Sequence, residues 1–425
     1  MKKERSRPSA VAGPSSGSEA HAAPRRSDPI STAGALAQGL VLGALVGVVC
    51  GVAAAIFLFL LDVVTHVRVH DERWVYALPL AGLVIGVVYE RFGERIKAGQ
   101  NLIIDTIHDG GPELPLRMAP MVLLGTVTAH LFGASVGREG TAVQMGASLS
   151  DWISHRLKLG KELRLQVLAA GVAGGFGAVF GTPIAGAVFG LEFIVLGRLK
   201  YDALVPALVA AVIGDLTTRM LGVSHSAYPV IARVELTPVL VAKWIVFGAG
   251  VALATAAFIE LVHFLKQHGG RLIPRLPVRM FLGGVVVIVL WKLVGTADYL
   301  GLGVPTILRA FEEPALPIYV FALKLVFTAI CLGAGFPGGE VTPLFFVGAT
   351  LGAALAAIMG IPIPLGAAVG MAAVFAAAAN TPLALSIMAV ELVGFGVLPH
   401  VMIVAVVAYV LTGNRGIYSA QRGTK

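Results

Sequence analysis

Charge is scarce in this 425-residue chain. Lys, Arg, Asp and Glu make up 13% of it, about half the share of an ordinary soluble domain. That deficit excludes a string of soluble globular domains, although the length would allow several. Cysteine is almost absent. Cys50 and Cys331 both sit in apolar runs, so neither a disulfide framework nor a thiolate metal centre can be built. The ten histidines are scattered. His66 and His70 lie four apart at a helix end, but no third ligand accompanies them, and no metal site is expected. His-Glu-x-x-His is missing, as is a serine nucleophile motif with an evident base. Ser135 lies in a Gly-Ala-Ser-Val-Gly turn that packing explains. Neither an enzyme nor a bound cofactor is therefore expected. The net charge of +8 calls for no nucleic acid, because basic cytoplasmic loops are ordinary in polytopic membrane proteins.

What the chain has in excess is apolar length. Hydrophobic residues make up 57%, in runs such as Leu36–Leu61, Val75–Tyr89, Ala119–Phe132, Val239–Val262, Met280–Val294 and Val401–Leu411. Some are long enough to cross about 30 Å of hydrocarbon, which takes roughly 20 residues. Others are too short, and short Gly/Pro-broken helices survive at membrane depth only under a cover of protein or around a water-filled cavity. The composition predicts an all-α polytopic protein. Residues 1–31 differ: Ser, Pro, Ala and Arg dominate, with Lys2, Lys3, Arg5, Arg7, Arg25 and Arg26. They read as a disordered tail whose charge places it in the cytoplasm. No cleavable signal is expected, since the first apolar run starts late and is long. No soluble domain is expected after the last apolar run.

The chain repeats itself. Thr182-Pro183-Ile184-Ala185 leads to Glu192, and Thr381-Pro382-Leu383-Ala384 leads to Glu391. Positions 182 and 381, 192 and 391, and the glycines 171 and 370 are all related by a shift of 199. Gly133-Ala134 recurs as Gly333-Ala334, and Gly146-Ala147 as Gly348-Ala349. Two membrane repeats follow, over 32–235 and 236–425. Repeats in a polytopic protein point to a transport pathway at their interface.

Three Gly-rich segments interrupt the apolar background: Gly99-Gln100-Asn101, Gly137-Arg138-Glu139-Gly140-Thr141, and Gly335 through Pro343. Each leads into a run that can start a helix. A helix N-terminus offers free N–H groups and partial positive charge, so several converging ends would make an anion site without a buried cation. The competing role for these glycines is close helix packing. Glu139 is the sharpest single residue. An acid between glycines at membrane depth is costly to keep ionised, which makes it a candidate proton-switched gate able to occupy an anion's place. Its bland alternative is a solvated pair with Arg138. Glu192 and Glu391 are symmetric, which favours a structural role, each tying helix ends in its own half, over proton relay. Lys243, Lys292 and Lys324 lie in or near apolar runs and are candidates to snorkel. Leu124 stands at the first-half position equivalent to Lys324. Tyr418 follows the glycine turn Gly413–Gly416 and either returns into the membrane as a donor or serves as an interfacial tyrosine.

These residues resemble the CLC family of chloride channels and anion/proton antiporters. Gly137-Arg138-Glu139-Gly140 is similar to the family's GREG/GKEG motif, whose glutamate gates the pathway and carries the proton. Gly338-Gly339 with Pro343 resembles its GGxFxP segment, which gives backbone amides to the central anion. Tyr418 resembles the tyrosine that donates to that anion. The resemblance covers the chain from about Thr32 onward. It implies inverted repeats of tilted and broken helices, one pathway per subunit, a homodimer, and residence in the plasma membrane. Three departures resemble the fluoride-exporting subclass, which couples fluoride exit to inward proton movement. Gln100-Asn101 replaces a Gly-Ser-Gly-Ile-Pro turn, Thr141 replaces a proline, and Glu340-Val341-Thr342-Pro343 replaces an Ile-Phe-Ala-Pro type. Phe193 stands where the chloride/proton exchangers carry an internal glutamate. The expected cargo is fluoride against protons, with a chloride channel or chloride/proton exchanger as the alternative. On this reading Glu139 is the gate and proton carrier. Gln100, Asn101, Arg138, Gly140, Val341, Thr342 and Tyr418 form the anion pathway. Fluoride is small and tightly hydrated, so its site must replace lost water with close donors.

Overall fold

The computed structural model describes residues 29–196, 199–312, 316–413 and 415–423. Residues 1–28 of the expected tail lie outside the described residues, and the first helix already begins at Pro29. Helices of the first half are α1 (Pro29–His70), α2 (Leu78–Phe92), α3 (Gln100–Asp109), α4 (Met118–Leu131), α5 (Glu139–Arg156), α6 (Lys161–Phe180), α7 (Pro183–Glu192) and α8 (Leu204–Met220). Those of the second half are α9 (Pro238–Leu272), α10 (Leu276–Val294), α11 (Val304–Glu312), α12 (Val320–Ala334), α13 (Val341–Met359), α14 (Ile363–Ala379), α15 (Pro382–Val393) and α16 (Leu398–Thr412). Among the described residues, eight helical segments are long and apolar enough to cross a membrane. By contrast α7, with ten residues, reaches only about 15 Å at 1.5 Å per residue.

Small residues let these helices approach. Gly43, Gly47 and Gly51 line one face of α1 at fourth-residue spacing and meet Pro206, Ala210 and Gly214 of α8. A Cβ on Gly51 would lie 2.5 Å from the Gly214 carbonyl oxygen. The repeat glycines do the same work in both halves. A Cβ on Gly146 would lie 2.2 Å from the Gly171 carbonyl oxygen between α5 and α6, and one on Gly348 would lie 2.3 Å from that of Gly370 between α13 and α14. Lipid tails provide no hydrophobic drive between helices, so backbone contact of this closeness replaces it. The centre belongs to α6 and α14, buried without a break over Val167–Phe180 and Leu365–Ala379. Each ends in a left-handed residue, Gly181 or its repeat partner Asn380. Each is followed by a proline that opens the next helix, Pro183 or Pro382, where the missing N–H leaves no bond unmade.

Glu192 and Glu391 correct one expectation. They do not tie ends within their own halves. Glu192, in the last turn of α7, accepts the N–H groups of Leu383 and Ala384 at 3.1 and 2.8 Å, at the start of α15. Glu391 accepts those of Ile184 and Ala185 at 3.0 and 2.7 Å, at the start of α7. The two helices run against each other, so each acid reaches the free N–H groups of the opposite half. Lys324 is a second correction. It does not snorkel: it is fully buried and donates to the carbonyls of Tyr299 and Gly301 at 3.1 and 2.7 Å. Lys292 lies over the rings of Trp291 and Tyr76, and Lys243 reaches the Gly360 carbonyl. One small addition to the all-α plan is a parallel pair of two-residue strands, β1 (Val195–Leu196) and β2 (Arg422–Gly423), which draws the C-terminal segment under the bundle.

Candidate functional site

The second and third Gly-rich segments meet head to head. Gly137 and Gly339 form an antiparallel bridge, each donating its N–H to the other's carbonyl. The bridge sets the N-termini of α5 and α13 against one another. Glycine is required here. A Cβ on Gly140 would stand 2.9 Å from the Gly339 Cα, and Gly338 takes φ +146 with the Val136 side chain against it.

Glu139 occupies the junction and is wholly buried. Its carboxylate accepts the Arg138 N–H at 3.1 Å and the Thr342 N–H at 3.2 Å. It also accepts the Thr342 hydroxyl and, at 3.3 Å, the Arg138 Nε. The pair with Arg138 is therefore interior, not the solvated pair of the bland reading. Donors from both halves converge on one negative group, which is the arrangement that suits a dehydrated anion. Val341 is buried at the first position of α13 and contributes backbone to this end.

Gln100 opens α3 after Gly99 (φ +57). Its Oε1 accepts from the Gln144 Nε2 at 3.1 Å, while its own Nε2 is buried, has no partner, and lies against Gly140. That amide is a donor in waiting beside the junction. Thr141 hydrogen-bonds Thr126, hydroxyl to hydroxyl at 2.7 Å, and so faces α4. The Asn101 side chain does not point to the junction. Its Oδ1 accepts the Ala420 N–H at 3.0 Å, and it holds the C-terminal segment. That segment carries Tyr418 into the interior, where it is 6% exposed and so not an interfacial tyrosine. Its ring meets Phe193 edge-on at 4.9 Å between centroids, and it lines the same cavity as Glu340. Phe193 in turn stacks on Phe189, and Phe189 on Phe176.

Two cavities approach from opposite sides. The first, about 520 Å³, is lined by Gln100, Asn101, Thr141, Gln144, Lys266, Arg279, Glu340 and Tyr418, among others. It lies where α2 and α9 end and α10 begins. The second, about 640 Å³, includes Arg68 at the end of α1, Arg138, and residues from 297 to 306, across the turn after α10 and the start of α11. Glu139 stands between Arg138 and Thr141, one facing each cavity. Gln144 was not singled out from the sequence, and Glu340 was quoted only as part of the third Gly-rich segment, without a role. The available signal for Glu340 was an acid inside an apolar run directly before a helix start. Glu192 and Glu391 lie away from the junction, at the contact between the halves.

Comparison with known proteins agrees with this geometry. Residues 81–413 match the family described as voltage gated chloride channel. The chain is 46% identical over 409 residues, 94% of its length and 89% of the relative's, to a chloride/fluoride channel protein of Pseudomonas syringae pv. tomato. It superposes with a TM-score of 0.89 at 32% identity on the crystal structure of a CLC-type fluoride/proton antiporter, covering 94% of this chain and all of that one. A slow cyanobacterial Cl⁻/H⁺ antiporter shares the fold, with a TM-score of 0.79 at 21% identity over 90% of this chain and 96% of that one. With its apolar spans, its paired halves and a buried carboxylate where two helix ends meet, the chain is a multi-pass membrane protein that belongs to the CLC family.

Proposed function

We propose that this protein is a fluoride/proton antiporter of the plasma membrane, moving fluoride outward as protons move inward, and that it acts as a transporter and not as an enzyme. The observation that carries the reading is the seat of Glu139: a carboxylate held by donors from both halves, next in sequence to Arg138, which lines one cavity, and two residues from Thr141, which lines the other. Ionised, it fills the place of a transported anion. Protonated, it gives up the charge that these donors attract and can leave, which couples one proton to the opening of the path. Basic residues favour the first cavity as the cytoplasmic one, since Arg95 and Lys97 flank it between α2 and α3, Arg271 in the last turn of α9, and Arg275 between α9 and α10.

The donor set supports fluoride over chloride. The Thr342 hydroxyl, the free Gln100 amide and the Tyr418 phenol are short, strong donors, and a small hydrated anion needs them to offset the loss of water. Phe193 leaves the inner proton route without the exchangers' internal glutamate. Glu340 supplies a substitute: it is buried, its Oε1 has no partner, and it lines the inner cavity within electrostatic reach of Lys266. Glu90, the other acid there, is engaged by the Leu276 N–H at 2.7 Å. The relative named a chloride/fluoride channel favours chloride as the second reading. The pairing of subunits into a homodimer, each with its own path, belongs to the same proposal. The test is efflux from liposomes holding the purified protein, read with fluoride and chloride electrodes while external pH is followed. Fluoride efflux that drives proton uptake, with weak chloride flux, is expected. Chloride flux equal to or faster than fluoride would reduce the reading to a general anion transporter.

A further inference from the structure

We propose that the outer cavity contains a second anion site, centred on Arg68, that holds a small monovalent anion at the outer mouth. Arg68 lies in the last turn of α1 and lines this cavity, yet it is only 7% exposed. Its Nε is buried with no hydrogen-bond partner. The acids lining the same cavity are Asp62, Glu72 and Asp298, and none forms a salt bridge with it. Asp62 stands beside His66 at 3.4 Å on an exposed face, and Asp298 pairs with Arg309 at 3.5 Å. Glu72 is exposed.

The surroundings deepen the imbalance. Lys324, within electrostatic reach, is fully buried and is satisfied only by two carbonyls. His130, also within reach, is fully buried and leaves its Nε2 unpartnered. The cavity's other titratable cationic side chains are Arg138, already on Glu139, and His225, whose Nε2 meets the Ala178 carbonyl at 2.8 Å. Gly301 closes over the guanidinium so tightly that a Cβ there would lie 2.8 Å from the Nη2. A guanidinium buried without a carboxylate is costly unless an anion completes it. Arg138, which holds Glu139, lines the same cavity as Arg68. The cargo class rests on the anion-transport reading, but the site itself depends on neither fluoride selectivity nor proton coupling.

Crystals of the intact protein soaked in bromide provide the test, read by anomalous scattering. Bromide density within hydrogen-bonding distance of the Arg68 guanidinium is expected in the wild type, and it should vanish in Arg68→Gln. A wild-type map without density there overturns the proposal, whether or not the variant folds. Flux supplies the second readout. With the anion varied on the outer side only, Arg68→Gln should raise KM about tenfold, as expected for losing a hydrogen bond to a charged group, with the maximal rate kept. Unchanged KM in a folded variant also overturns it. Loss of proton coupling in other variants would bear on the antiporter reading and leave the bromide result untouched.

Discussion

At Glu139 one carboxylate is held by backbone and side-chain donors of two helices that belong to different halves. Glutamine at this position keeps the shape and can still accept from Thr342, but it cannot exchange a proton. Glu139→Gln is therefore expected to pass anions without proton counterflow in liposomes. Proton uptake at the wild-type ratio in that variant would remove Glu139 from the coupling step. Tyr418 separates packing from chemistry. Tyr418→Phe keeps the ring against Phe193 and removes only the phenol. If the phenol donates to the passing ion, turnover should fall about tenfold, the worth of one hydrogen bond to a charged group. Wild-type turnover and selectivity would confine Tyr418 to packing.

The C-terminal segment behaves as an element although it is barely regular. Asn101 holds its Ala420 N–H, Gln421 reaches the carbonyls of Phe193 and Ala379, and the Ile417 N–H meets the Ala378 carbonyl. Arg422 adds exposed pairs with Asp105 and Asp109. Its hydrogen bond holds the Asp109 carboxyl below the usual carboxylate range. The tie is therefore fully present above the ordinary carboxylate pKa, about 4, and is lost as pH falls through the lowered value. Corrected for the slower intrinsic rate in acid, the protection of 415–423 against hydrogen exchange should fall as pH drops. Arg422→Ala should bring that looseness to neutral pH, and identical protection in the variant would show that the other contacts hold the segment alone. Asn101 was expected in the anion pathway from its place beside Gln100. It does line the first cavity, and its side chain also positions the segment that carries Tyr418, a contact across 319 residues that no local pattern announces.

Across the whole molecule, the two halves are joined at the junction of α5 with α13 and again where α7 and α15 cap each other. The second joint rests on four N–H donors and two acids. Glu192→Ala and Glu391→Ala each leave two helix-start donors unpaired, at roughly 1–3 kcal/mol for each buried group. Both variants should lower Tm, Glu192→Ala the more, because Glu192 is the more buried. An unchanged Tm in both would mean that water satisfies these helix ends and the acids do not bind the halves.

Much of this was set by the sequence alone. The scarcity of charge dictated membrane helices, because ionised groups are too costly in hydrocarbon. The 199-residue shift marked two halves. The Gly-rich interruptions marked the broken helices, because only glycine permits such turns and close approaches. Tertiary structure decided the rest. It crossed the repeat acids between the halves, buried Lys324 against two carbonyls, tied the Asn101 side chain to the C-terminal segment, and set Glu340 and Tyr418 on one cavity. It also left Arg68 lining the second cavity without a salt bridge. Each of these depends on which distant backbone groups come within hydrogen-bonding reach. Spacing along a chain fixes which face of a helix a residue occupies, but only packing fixes what that face meets.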